Sequence, residues 1–180
     1  MESKRSPEGM EHLFHVSNDP NITRFEPRPS PNPSVQVDGE VVFAIGQRTL
    51  PNYLLPRDCP RVTFYALPES KPEDVERLLN GSRHVVAIES GWLERVMNGR
   101  IHYYTLPADP FTLWDEGAGY YISRQPVTPL ARRTIDNMLL ELANHDVEIR
   151  IVPSLWPLWD AVVDSSLQFS MIRMRNAQPR

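Results

Sequence analysis

Cysteine is nearly absent: Cys59 is the only one in 180 residues. No disulfide can close within the chain, and a reducing, cytoplasmic compartment is the expectation. Positive charge is not in excess either. The formal net charge is −4, which argues against a general nucleic-acid binder, because phosphate contact needs a basic surface. Lysine is scarce, at Lys4 and Lys71, against seventeen arginines; arginine is the residue of bidentate anion contacts. No apolar run approaches the roughly 18 residues of a membrane span. The polar stretch from Met1 to Met10 lacks the apolar core of a secretory signal. The eight glycines form no Gly-x-Gly-x-x-Gly, Walker or Gly-x-Ser-x-Gly pattern, so dinucleotide-fold, P-loop and nucleophile-elbow chemistry are not expected. His12, His15, His84, His102 and His145 are scattered, with no His-Glu-x-x-His or Cys-x-x-Cys, and no metal is expected.

Proline, in contrast, is abundant. Eighteen occur, clustered between Phe25 and Pro33 and recurring in Leu-Pro and Cys-Pro pairs. Each fixes φ and removes a donor, so many connections are rigid and irregular. Residues 1–11 carry little to bury and are expected to be a disordered tail. Residues 12–180 are expected to form one globular domain, since domains commonly run to about 100–200 residues. Strands are expected where short apolar or alternating runs occur: His12 to Val16, Val41 to Ile45, Val62 to Ala66, Val85 to Glu89, Ile101 to Leu106, Tyr120 to Ser123, Val147 to Val152 and Phe169 to Met174. In the first of these, Leu13, His15 and Ser17 share one face and Phe14 and Val16 the other.

Helices are expected in the intervals. Ser70-Lys71-Pro72-Glu73 reads as a capping box opening a helix that stops at Asn80-Gly81. Ser90 reads as the cap of a second, reaching Met97. Thr128-Pro129 reads as the start of the longest, to about Asn144, because Ala131, Ile135, Met138, Leu139 and Leu142 fall on one helical face. Leu50 to Leu55 and Trp156 to Val163 read as shorter helical pieces. No repeat and no regular βαβ alternation runs through the chain. The expected class is α+β, with a mixed or antiparallel sheet and about three principal helices. Gly117-Ala118-Gly119 reads as a loop over a cleft or as a hairpin bend. Cys59 sits between Arg57 and Arg61, which would lower a thiol pKa, but a small buried turn residue is the reading we favour.

Three stretches together carry a resemblance. Leu13-Phe14-His15-Val16-Ser17 resembles the opening strand of ADP-ribosyltransferase folds of the poly(ADP-ribose) polymerase type. Val42-Phe43-Ala44-Ile45, followed by Leu50-Pro51-Asn52-Tyr53, resembles that family's next strand and short helix. Val147-Glu148-Ile149-Arg150-Ile151 resembles the late strand that delivers its glutamate. Val16 stands where that family has glycine, and Phe43 where it has tyrosine. More closely, His15 to Pro29, Leu50 to Arg61 and Phe169 to Ala177 resemble a small family of uncharacterised bacterial proteins, a likeness that implies no activity.

The first resemblance implies NAD as ligand or co-substrate. His15 would hold a ribose hydroxyl, and Phe43 and Tyr53 would flank the nicotinamide. Arg24 and Arg28 would meet the pyrophosphate. Glu148 would stabilise oxocarbenium-like charge as the glycosidic bond breaks, with Glu89 and Glu116 as rival carboxylates. Each residue also has a structural reading: His15 in a core, Tyr53 packed on its turn, Glu148 solvated beside the inward-facing Val147, Ile149 and Ile151. A non-catalytic module that binds a small molecule or an unidentified protein partner is the alternative of a different class.

Overall fold

The computed structural model describes residues 12–30 and 37–180. The tail expected over 1–11, and residues 31–33 of the proline-rich stretch, lie outside the described residues. In chain order the elements are β1 (His12–Ser17), β2 (Val42–Ile45), a 3-10 turn (Leu50–Tyr53), β3 (Arg61–Tyr65) and α1 (Pro72–Asp74), which runs on as a π-helical turn (Val75–Leu79). Next come β4 (His84–Glu89), a 3-10 turn (Ser90–Trp92), α2 (Leu93–Asn98), β5 (Ile101–Pro107), β6 (Thr112–Asp115) and β7 (Tyr120–Ser123). The chain continues with β8 (Ala131–Ile135), α3 (Met138–Asn144), β9 (Val147–Val152), α4 (Trp156–Val163) and β10 (Gln168–Ile172). The class is α+β, as the sequence implies.

The chain divides into two compact units with interleaved segments. One comprises residues up to Leu50 and Ile101–Thr134; the other comprises Pro51–Arg100 and Ile135–Arg180. The first carries a six-stranded antiparallel sheet in the order β6-β7-β2-β1-β5-β8. Strand alternation decides which side chains share a face. Phe14 lies opposite Ile45 and Thr105, and Ile45 opposite Tyr120, so Phe14, Phe43, Ile45 and Tyr120 share one face. The other face takes Leu13, His15, Val42, Ala44, Tyr104 and Leu106. Most of these pack with Phe25, Phe111 and Val127 into the unit's apolar cluster. The turn between β6 and β7 is a hairpin bend in which Ala118 N–H donates to Asp115 at 2.9 Å. Gly119 there has φ +67°, and a Cβ on it would stand 2.6 Å from Thr49 Cγ2, so both conformation and space demand glycine.

The second unit carries the mixed sheet β10-β3-β4-β9. Its first three strands pair antiparallel, and β4 and β9 pair parallel. A parallel pair needs a long crossover. Here it consists of α2, the whole run of β5 to β8, and α3. Val62, Phe64, Val85 and Ala87 pack on one face with Leu78, Leu79, Leu155 and Val162 from the helices. Tyr65, His84, Thr63 and Val86 line the opposite face.

Three sequence expectations are corrected. Residues 128–144 do not form one helix. Ala131–Ile135 runs as β8 beside β5, and α3 starts at Met138, with the Asn137 side chain accepting the Leu140 N–H at 3.0 Å. The apolar spacing fitted a helix only because Ile135 is buried on the strand while Met138 and Leu142 are buried on the helix. Asp136-Asn137, both poor helix-interior residues, mark the break. Ser70 is not a side-chain cap: its hydroxyl accepts Leu67 N–H at 2.9 Å and donates to the Ser166 carbonyl at 3.1 Å. Ser90 likewise opens a 3-10 turn without capping it. Among the described residues there are four α-helices, and β6 is added, which the sequence did not announce because it is short and broken by a bulge after Leu113.

Candidate functional site

In the first unit, β1 presents His15 on the face of the apolar cluster. Its Nδ1 lies 2.9 Å from the Phe43 carbonyl oxygen, an atom that can only accept. Nδ1 therefore carries a proton, which in the neutral imidazole makes Nε2 the acceptor nitrogen. The ring is half-buried and tilts against Phe25, with centroids 4.8 Å apart. The contact with Phe43 is to its backbone. The Phe43 ring points to the other face of the sheet, where it meets Tyr120 edge-on at 6.0 Å. His15 and Phe43 are thus joined through the main chain, and their side chains do not share a face. Arg24 is exposed and paired with Glu26 at 2.8 Å. Arg28 is exposed and fixed by a two-way backbone bridge to Val41, at 3.1 and 3.0 Å.

Tyr53 lies in the second unit, half-buried on its 3-10 turn. That turn is organised by Arg61, which is only 2 % exposed. Its guanidinium donates to the carbonyls of Asn52 at 3.0 Å, Pro56 at 3.1 Å and Cys59 at 2.8 Å. His84 Nε2 meets Asn52 Oδ1 at 2.7 Å, and Tyr65 lies 5.2 Å from the His84 ring. The turn therefore docks on the face of the mixed sheet that bears Tyr65 and His84. Sequence reasoning missed Asn52, Arg61 and His84. The one available signal was an arginine at the head of the apolar run from Val62 to Ala66.

Glu148 occupies the opposite face of that sheet, in register with Val85, Phe64 and Phe169. Its carboxylate accepts from Arg150 Nε at 2.8 Å and Nη2 at 3.3 Å, and from the Ser82 hydroxyl. Arg150 also donates to the Leu78 carbonyl at 2.7 Å and stacks over the Phe64 ring. The Arg150 guanidinium holds the Glu148 carboxyl below the ordinary range. With its side chain 37 % exposed, Glu148 lines an open groove of about 440 Å³ together with Gly81, Ser82, Arg83, Asp146 and Val147. The structure does not bring Glu148 and the turn of Tyr53 to one face of the sheet.

The rival carboxylates differ. Glu116 is exposed on the β6–β7 bend. Glu89 is buried at the end of β4, where its carboxylate receives the backbone N–H groups of Leu155 and Gln178. Cys59 is wholly buried, and burial pushes its thiol up to about 11. The nearby Arg61 cation opposes that shift without reversing it, so the thiol stays protonated and inert as a nucleophile. Among the described residues, no group of three or more His, Cys, Asp or Glu is placed to hold a metal ion. Among them too, no helix is long and apolar enough to cross a membrane.

The structure therefore defines an α+β protein with one antiparallel and one mixed sheet, a fixed histidine on the first and an arginine-paired glutamate on the second. Residues 14–177 match the model of a family of unknown function, DUF6886, and the chain belongs to that family. No curated protein and no solved structure matches it.

Proposed function

We propose that the chain is an ADP-ribosyltransferase-like domain that binds NAD, or a dinucleotide of the same build, at β1. The observation that carries this reading is the His15 ring. The Phe43 carbonyl 2.9 Å from Nδ1 keeps a proton on Nδ1 and holds the ring plane, and in the neutral imidazole the other nitrogen can accept from a ribose hydroxyl. Phe25 beside it supplies an aromatic surface. Holding a ring in one orientation before the ligand arrives reduces the ordering cost of binding. Arg28, exposed on a backbone-anchored segment, is the arginine better placed to meet a pyrophosphate, since Arg24 is engaged with Glu26. A reducing, cytoplasmic setting in a bacterium belongs to the same reading.

Binding without turnover is the form of this reading that one observation favours. The Glu148 carboxylate is already engaged by Arg150 and Ser82. A carboxylate neutralised by a guanidinium stabilises developing positive charge less well than a solitary one. Turnover would require Glu148 to leave that pair.

Thermal unfolding with and without NAD, followed by an assay for free nicotinamide, tests both forms. Ligand at about 100 times its dissociation constant adds roughly 2.7 kcal/mol, a rise in Tm of about 5–10 °C at this size. We expect that rise in the wild type and its loss in His15→Ala. No rise in the wild type would overturn the dinucleotide reading. Nicotinamide release that vanishes in Glu148→Gln while the rise persists would establish an NAD-consuming enzyme with Glu148 at its centre. A rise without release identifies the binding module.

A further inference from the structure

The segment Asn176–Arg180 lies along the second unit in the way a bound peptide lies in a receptor. Both backbone polar groups of Gln178 are held by side chains. Its N–H donates to the Glu89 carboxylate, at 3.0 Å to Oε2 and 3.2 Å to Oε1. Its carbonyl accepts the Trp156 indole N–H at 2.6 Å. The Gln178 side chain is exposed, so these contacts read the main chain and not the residue type. Ala177, in extended conformation at φ −70° and ψ 162°, leads into this grip. Two residues further on, the Arg180 guanidinium stacks over the Trp156 ring at 5.4 Å and pairs with Asp160 at 2.5 Å.

The receiving groups are built into the unit and not into the segment. Glu89 is 1 % exposed, and it also accepts the Leu155 N–H at 3.2 Å, which ties it to the start of α4. A buried carboxylate presented to passing main-chain N–H groups is costly to leave unsatisfied. Trp156 and Asp160 sit one turn apart on α4, at i and i+4, so ring and carboxylate lie on one helical face and frame a single cation.

We propose that Glu89, Trp156 and Asp160 form a peptide-binding groove for an extended segment with an arginine two residues after a backbone-clamped position. Residues 176–180 occupy it in cis. This inference is independent of the proposed dinucleotide site and uses none of the residues placed in it. A tethered segment has an effective concentration of about the millimolar order, so an outside peptide shows itself only when the cis segment is weakened.

Gln178→Pro in the full chain does this, because proline deletes the N–H donated to Glu89 and leaves the receiving groups untouched. The probe is an acetylated and amidated peptide of residues 176–180, and the readout is the Trp156 indole N–H signal by NMR. In Gln178→Pro we expect that signal to move from its wild-type position, and saturating peptide to return it. A peptide with alanine in place of arginine should need at least five-fold more to do so. An unmoved signal in Gln178→Pro, no return at millimolar peptide, or equal return by the alanine peptide would overturn the proposal. So would a wild-type signal that moves on dilution together with a monomer–dimer transition, which would make a second copy of this chain the occupant.

Discussion

Asp74 shows how far a single carboxylate is committed to the native state. One oxygen accepts from Arg77 at 2.9 Å, and the other takes both the N–H and the hydroxyl of Ser166, at 2.8 and 2.7 Å. Ser166 in turn receives the Lys71 N–H at 2.8 Å, so one aspartate fastens the start of α1 to the chain between α4 and β10. The Arg77 hydrogen bond, with those from Ser166, holds its pKa down from 3.8 to about 2. A lowered folded-state pKa means that the unfolded chain takes up the proton first. The stabilisation is complete above about pH 4 and is lost as pH falls toward 2. We expect Asp74→Asn to be less stable than wild type at pH 7 and to lose less stability between pH 4 and 2, as read from urea midpoints. Parallel pH profiles would show that Asp74 does not link the fold to protons. The residue scale is also where the sequence was most legible for Glu148. Arg150 stands two places along the same strand and so shares its face, which makes their pairing readable from spacing. Ser82 arrives from a distant turn, and nothing local announces it.

At the scale of elements, legibility followed how much of the evidence was local. α4 has the bounds the sequence implies, with Pro157 in its first turn and an apolar run behind it. β1 and β9 were readable from alternation. The region 128–144 was not, because its apolar residues satisfy a helical period while the sheet edge beside β5 claims Ala131–Ile135. Whether a segment joins an edge depends on a neighbour made from Ile101–Pro107, which no window around Ala131 contains. The break itself can be tested. Asn137 is the cap that lets α3 begin where β8 has just ended. Replacing it by alanine leaves the Leu140 N–H without its acceptor and should cost about 0.5–2 kcal/mol. Asn137→Ser should restore most of this, since serine also caps. Equal urea midpoints for the alanine variant and the wild type would mean that α3 starts without help from its cap.

At the scale of the whole molecule, the interleaving of the two units governs what can fold. Each sheet is assembled from two separated stretches of chain, and this is the part least visible in the sequence. The parallel pairing of His84–Glu89 with Val147–Val152 joins strands with the rest of a sheet threaded between them. Such non-local pairing has no short-range signature and carries a loop-closure cost that only the completed core offsets. The same topology makes a prediction about fragments. Residues 51–100 hold β3, α1, β4 and α2, a contiguous stretch that looks like a small module of its own. Yet β3 and β4 are the two central strands of their sheet, and their outer neighbours β10 and β9 lie beyond Ile135. Phe64, Val62, Val85 and Ala87 are buried in a cluster that also needs Leu155, Val162 and Leu167. Without them the hairpin exposes apolar surface and two open edges, and isolated hairpins are marginal at best in water. We therefore expect the 51–100 fragment to give a poorly dispersed amide spectrum with no cooperative thermal transition, while the full chain gives a dispersed one. A folded 51–100 fragment would mean that local propensity, not the distant strands, holds this half of the sheet together.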